Sequence, residues 1–600
     1  MNKENTFHIG LTMAGAVSAG AYTAGFMDYL IEVLELWEKE KKHIRQKLRN
    51  NEALTDEEKQ IPLHDICIDV IGGASAGGMV SMMTALSTYA DVPPITKPPK
   101  ENIKTGNILY DSWVLLDDDL NKEGGLETFE KMLKTDDFEG TDSGIPSLLN
   151  SKPIDHIADR VFDNIPSKEE RKPLPSYFSP DLRVLLTLCS LRGVPFELKF
   201  KSNFSNKLEN IPGHRMREHM VIAHFKLNFN EETDKDVYLK FNPYDPACKS
   251  LLKLCTKATG AFPIGLAPRH FKEQLSTEYI KNCIFRNLDI KESEKTLVEI
   301  KIDEDFFDFT DVDGGTINNE PYGEVVRVLE EMHQYNSKFP NFGTIMIDPF
   351  PNFYKPKEAF STQTVKPNST FQNNIWKVIP KLYSTFREQV RVKRNHSFYK
   401  DYIRYIVYPK KWKQKDSPKN HPPIACAALD GFGGFLDIEF RKHDFFLGRN
   451  NARNFFRAIF MLEYKEDSVH PLFKNLRVEA LNTFKRVTKD SITKEITHIY
   501  VPIIPDLKLI EDKKLDYTNP FYYDYKDFPQ IKPGYFKAIE PQMKSRVKSI
   551  IKCEIKNRNI KSWVLRNGFK VLTNYASKKI TREAIEFIEK DLKNRKMMPK

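Results

Sequence analysis

The chain runs to 600 residues, 40% hydrophobic and 12% aromatic, which excludes an intrinsically disordered protein and leaves room for a large core and more than one domain. Its seven cysteines are odd in number and contain no Cys-x-x-Cys pair, so the sequence offers neither a disulfide framework nor a zinc site, and a reducing compartment is the simpler reading. The net charge of +10 conceals an asymmetry, with 47 Lys+Arg against 25 Asp+Glu in residues 381–600 and 45 against 57 before them, so that the second part suits an anionic surface.

The polar start, Met1 to His8, carries no apolar signal segment, and a cytoplasmic protein is expected. Phe7–Met13 reads as a strand, and the small residues from Ala14 to Gly20 turn the chain. Tyr22, Phe26, Tyr29, Leu30, Val33, Leu34 and Trp37 then recur at helical spacing. The pattern repeats, with a strand at Ile66–Ile71, a turn at Gly72–Gly78 and a helix at Met79–Tyr89. Two such units predict a parallel α/β sheet. Val70–Ala90 is uncharged over about the ~20 residues of a bilayer span, but its glycines, serines and threonines fit a glycine-rich turn followed by a buried helix.

Residues 91–180 are rich in Pro, Lys, Asp and Ser with little periodicity, and read as an insertion or lid on the sheet. Strands are predicted at Arg183–Ser190, His219–Phe229, Phe306–Val312 and Phe342–Asp348. The expected division is an α/β domain over 1–385 and a basic, aromatic-rich, mostly helical region over 386–600. Within that region Ala452–Tyr464 and Thr581–Lys593 read as helices, and Tyr517–Phe536 as an extended surface loop.

Three constellations carry chemistry. Gly73-Ala74-Ser75-Ala76-Gly77 lies between a strand and a helix, the arrangement that exposes a serine hydroxyl on a strained turn at a helix N-terminus. The competing reading is a serine that caps the helix. An α/β-hydrolase would place several strands before its nucleophile and a histidine after its acid; Ser75 has one strand-helix unit ahead of it, so the base is sought elsewhere. Asp311-Val312-Asp313-Gly314-Gly315 ends an apolar strand with a carboxylate able to act as general base without histidine. Asp311 and Asp313 stand two apart and periodicity does not separate them; the adjoining Gly314-Gly315 turn selects Asp313. Finally, the loop Gly15-Ala16-Val17-Ser18-Ala19-Gly20 offers backbone N–H groups to an oxyanion.

In this order the three pieces resemble the patatin-like phospholipase family, in its longer bacterial form with a C-terminal extension. Gly20-Ala21-Tyr22-Thr23-Ala24-Gly25, Arg192-Gly193-Val194-Pro195 and Ala258-Thr259-Gly260-Ala261-Phe262-Pro263 are similar to further stretches of it, and the likeness covers roughly residues 7–350. It implies a three-layer α/β/α sandwich with a mostly parallel sheet. It also implies hydrolysis of lipid acyl esters, of the phospholipase A or lysophospholipase type, by a Ser75–Asp313 dyad. Gly73 and Gly77 would frame the nucleophile, Gly314 and Gly315 the base, and Gly15, Ala16, Val17 and Ser18 would form the oxyanion hole. The loop departs from the family's Gly-Gly-Gly-x-Arg-Gly pattern in lacking the basic residue. Phe445-Phe446-Leu447-Gly448-Arg449-Asn450-Asn451 is similar to a stretch of the longer bacterial proteins and reads as a glycine-stopped segment before a helix near Ala452. No metal and no cofactor are expected, and no His/Cys cluster presents itself. The expected partner is a phospholipid or other acyl lipid, with peripheral contact at the inner membrane face through residues 381–600 and no nucleic acid. Two other readings stand beside this one: a carboxylesterase or thioesterase for soluble acyl donors, and a catalytically idle membrane- or nucleic-acid-binding protein on the same scaffold.

Overall fold

The computed structural model describes residues 5–120, 125–139, 144–199, 213–336, 338–350, 404–410, 423–512, 528–557 and 563–599. A ten-stranded sheet forms its centre: β1 (Thr6–Met13), β2 (Asp65–Gly73), β3 (Phe178–Leu198), β4 (His214–Lys226), β5 (Leu239–Lys240), β6 (Arg269–Phe271), β7 (Val298–Ile300), β8 (Phe309–Asp313), β9 (Phe342–Ile347) and β10 (Arg404–Val407). The main path runs β10-β9-β1-β2-β3-β4-β5. Its β10-β9-β1-β2-β3 part is parallel throughout, while β4, β7 and β8 lie antiparallel to β3. Nearly every residue of β1, β2 and β9 is buried, which explains why these strands read as continuous apolar runs and not as alternating ones. The chain is thus an α/β protein with a large, mostly parallel sheet and a C-terminal region that is mainly helical.

The helices used below are α1 (Gly20–Arg49), α2 (Ser75–Leu86), α3 (Lys152–Asp163), α4 (Pro246–Thr259), α5 (Tyr322–Met332), α6 (Ile438–Ala458), α7 (Tyr535–Asn557) and α8 (Trp563–Asn594). Among the described residues no helix is long and apolar enough to cross a membrane.

One property of β3 positions everything that follows. Along the same edge of this 21-residue strand, β2 runs parallel to it and ends with Gly73 opposite Leu186. From the other direction β8 runs antiparallel and ends with Asp313 opposite Leu188. The two strands therefore meet with their C-terminal ends facing, two residues apart on their common partner. Whatever follows Gly73 must lie against Asp313.

The C-terminal region shares the core of the first part. Its strand β10 extends the main sheet through β9, and α6 lies along α1, where Gly25 rests on the Phe445 carbonyl and Gly448 on the Tyr22 carbonyl with no room for a side chain. Across this seam Arg449 pairs with Asp28 and Glu32, and the Tyr22 hydroxyl donates to Asn451 Oδ1 at 3.0 Å. Gly448 thus does not stop a helix, as its sequence suggested. It sits inside one, because the bare backbone is needed for the close crossing. The helix expected over Ala452–Tyr464 likewise ends at Ala458, and Met461–Tyr464 joins Ile496–Pro502 and Arg486–Lys489 in a small antiparallel sheet. Most of the loop expected at Tyr517–Phe536 lies outside the described residues, and from Tyr535 on the chain is the helix α7.

Candidate active site

Ser75 opens α2 directly after β2. Its φ of +53° lies in the left-handed region that costs a non-glycine residue of order 1–3 kcal/mol and persists only where its surroundings enforce it. They do so here through a close approach: Gly77 stacks on the Met13 carbonyl of β1, where a side chain would collide. Gly73 packs against Gly77 across the turn. The Ser75 N–H donates to Thr259 Oγ1 at 3.0 Å. Its hydroxyl does not cap the helix; it donates to Asp313 Oδ2 at 2.5 Å.

Asp313 is the last residue of β8. Its N–H donates to the Ala261 carbonyl at 2.9 Å, and its second carboxylate oxygen accepts the Gly315 N–H at 2.7 Å. Gly314 lies on the Thr187 carbonyl of β3, so this turn is pressed against the strand that aligns it with Ser75. Asp311, the alternative that spacing left open, is buried, and among the described residues neither carboxylate oxygen meets a hydrogen-bond partner. Burial, and then the negative charge of Asp313, push its pKa well above the ordinary carboxylate range. Asp311 thus sits where burial disfavours its charged form, and Asp313 is the carboxylate that faces the serine.

The loop after β1 divides its residues. The Gly15 N–H donates to the Asn319 carbonyl at 3.1 Å, and the Asn319 side-chain amide returns a 3.3 Å bond to the Gly15 carbonyl. Gly15 is therefore a fixed hinge and not a free donor. Ala16 and Val17 line the cleft beside Ser75, and among the described residues their N–H groups meet no acceptor. Ser18 turns the other way: its hydroxyl donates to the Gly431 carbonyl and accepts the Gly434 N–H at 2.9 Å.

Ser75 stands where two pockets meet. One is a cleft of about 700 Å³ with the open space at its mouth, lined by Gly15, Ala16, Val17, Phe262, Pro263, Asp313, Gly315 and Asn319. The other, about 760 Å³ with the open space at its mouth, is walled by Met79 and Met83 of α2, Trp113 and Leu116, Ile154, Ile157, Ala158 and Val161 of α3, and Phe432 and Phe435 of the C-terminal region. An apolar slot of this kind suits a flexible hydrocarbon chain. Among the described residues the group with metal-ligand character, His8, Cys67 and Asp69, lies elsewhere in the sheet.

Sequence reasoning missed Thr259, Asn319, Phe432 and Phe435. The stretch Ala258–Pro263 entered only by resemblance, yet it braces both members of the pair through Thr259 and Ala261. Nothing in the sequence signals Phe432, which reaches the site from more than three hundred residues beyond Ser75.

No protein-family model matches the chain. It is 27% identical, over 541 residues that make up 83% of this chain and 70% of the relative, to the uncharacterized protein y4iI of Sinorhizobium fredii (strain NBRC 101917 / NGR234).

Proposed function

We propose that the protein is a patatin-like lipid acyl hydrolase on an α/β/α sandwich, cleaving carboxylic esters of the phospholipase A or lysophospholipase type. The observation that carries this reading is the 2.5 Å bond from the Ser75 hydroxyl to Asp313 Oδ2, at the point where the apolar slot and the cleft meet. The acyl chain lies in the slot and the ester carbonyl beside Ser75. Ser75 Oγ attacks the carbonyl carbon as its proton passes to Asp313 Oδ2, and the N–H groups of Ala16 and Val17 hold the oxyanion. Collapse breaks the bond to the alcohol, which leaves with the proton from Asp313. Water then attacks the acyl-enzyme, gives its proton to Asp313, and Ser75 recovers its hydrogen as the fatty acid departs. No step calls on a metal or a cofactor.

The substrate is a phospholipid or another acyl lipid, met at the inner face of the membrane by a cytoplasmic protein whose residues 381–600 hold 47 Lys+Arg against 25 Asp+Glu. Binding of this kind weakens with salt as counterions screen it.

The test combines a fluorophosphonate probe with anionic phospholipid vesicles. The probe labels the wild type at Ser75, fatty acid is released from the vesicles, and Ser75→Ala loses both. Absence of label on the wild type, or label that survives in Ser75→Ala, refutes the nucleophile. Release from short soluble esters alone, with none from vesicles, refutes the lipid substrate while leaving the dyad intact.

A further inference from the structure

At the other end of β1 and β2, His8, Cys67, Asp69 and His333 converge from three elements. His8 on β1 stands opposite Cys67 on β2. Asp69 falls where both neighbours of β2 change register: Ile9/Gly10 of β1 pair with Ile68/Val70, and β3 likewise slips between Ile68 and Val70. Such a bulge leaves one residue outside the ladder and re-aims its side chain. The Asp69 carboxylate is turned so that Oδ2 lies 2.7 Å from His8 Nδ1 and 3.1 Å from His333 Nε2, while Cys67 Sγ lies 3.6 Å from Oδ1. His333 caps the C-terminus of α5, and its ring stacks on that of His8 at 3.7 Å between centroids. The ligating atoms of His8, Cys67 and Asp69 all lie within 4.8 Å of one another.

We propose that these four residues bind one divalent transition-metal cation of the zinc class. Two imidazole nitrogens, a carboxylate oxygen and a thiolate form the mixed nitrogen, oxygen and sulfur set that a borderline cation takes in tetrahedral geometry, whereas calcium and magnesium require oxygen ligands. The His8 and His333 ring nitrogens both reach Asp69 Oδ2; when the stacked rings turn apart, a cation takes their lone pairs in place of the two N–H protons, and each ring keeps its proton on the other nitrogen. Thiolate and carboxylate together balance a charge of two. That balance matters because Asp69 and Cys67 form a buried floor where an unbalanced charge is costly. Both histidines are 19% exposed, so the cluster is reached from solvent on their side. All four positions come from protein, which makes the site structural, and six residues of chain, about 20 Å at ~3.3 Å each, separate Asp69 from Ser75. The ion ties β1, β2 and the end of α5 together and takes no part in the hydrolysis.

The experiment strips the full chain with a chelator and reloads it with Zn²⁺ or Co²⁺. One equivalent of zinc per chain is retained after dialysis, and Co²⁺ gives the intense visible bands of a tetrahedral site together with a thiolate-to-metal charge-transfer band. Cys67→Ser loses the charge-transfer band, His333→Gln weakens binding about tenfold or more, and Cys248→Ser, in a cysteine outside the cluster, changes neither. Circular dichroism verifies that each variant is folded, and fluorophosphonate labelling of Ser75 is followed in parallel so that this site and the proposed hydrolase are judged separately. Failure of the folded wild type to retain zinc, or cobalt bands unchanged in Cys67→Ser, overturns the proposal and reduces the cluster to a hydrogen-bonded tie.

Discussion

Asp311 and Asp313 are two residues apart on one short strand, yet only Asp313 meets the serine. Among the described residues the buried Asp311 carboxylate oxygens meet no hydrogen-bond partner, and burial disfavours their charged form, so an amide in its place takes nothing from Ser75. Asp313 receives the Ser75 hydroxyl and a backbone N–H, and an amide there removes the proton acceptor. Asp313→Asn is therefore expected to lower the rate of ester hydrolysis about a thousandfold, within the range of a lost general base, while Asp311→Asn stays within about threefold. Steady-state rates on a chromogenic ester measure both, and equal losses would show that the two carboxylates are not distinguished as argued. Ser75 and Asp313 were legible because a serine between glycines after a strand, and an acid before a double glycine, are local patterns. Thr259 and Asn319 were not, since a threonine ending a helix and an asparagine in a turn are common. Their importance arises only when β3 brings distant turns together.

At the scale of elements, the central strands were legible from their unbroken apolar runs, whereas β10 and the strand Met461–Tyr464 were not. Each has four residues, too few for a periodicity, and each is a strand because a neighbour offers its edge. Residues 91–180 read as an insertion or lid because they are rich in Pro, Lys, Asp and Ser with little periodicity; α3, which they contain, lines the slot through Ile154, Ile157, Ala158 and Val161. Ala158 is buried and is the smallest side chain on that wall. Ala158→Phe fills the slot without touching Ser75 or Asp313. Hydrolysis of palmitoyl esters is expected to fall about tenfold or more, as a cost of 1–3 kcal/mol in a shaped apolar pocket implies, with butyryl esters little affected. Comparing kcat/KM for the two chain lengths checks this, and a parallel loss on both would mean that the acyl chain lies elsewhere.

For the whole molecule, the composition break near residue 385 marks a change of charge and not a division of the core. His64 shows the connection in one side chain: it packs between Trp37 and Phe473 and holds the Ile503 carbonyl at 2.8 Å. Burial, and then the nearby Lys41, lower its pKa to about 3. The unfolded chain takes up this proton as pH falls below about 6.5, while the folded one does so only near 3, so stability declines through that window as the medium becomes more acid. Between pH 7.5 and pH 5 the wild type should lose on the order of 2 kcal/mol more than His64→Gln, which keeps a donor and cannot titrate; urea unfolding at the two pH values measures the difference. The same connection governs truncation. In α6, Phe440, Phe445, Phe446, Leu447, Phe455 and Phe456 are buried, each contributing about 1.5–3 kcal/mol, so their sum of about 10 kcal/mol or more equals the entire stability of an ordinary domain. Truncation at residue 385 also strips Asp28 and Glu32 of Arg449 and takes Phe432 and Phe435 from the slot. Residues 1–385 alone are therefore expected to be aggregated or to unfold without a cooperative transition in urea, as read by circular dichroism. A soluble fragment with a sharp transition would show that the seam between α1 and α6 is dispensable.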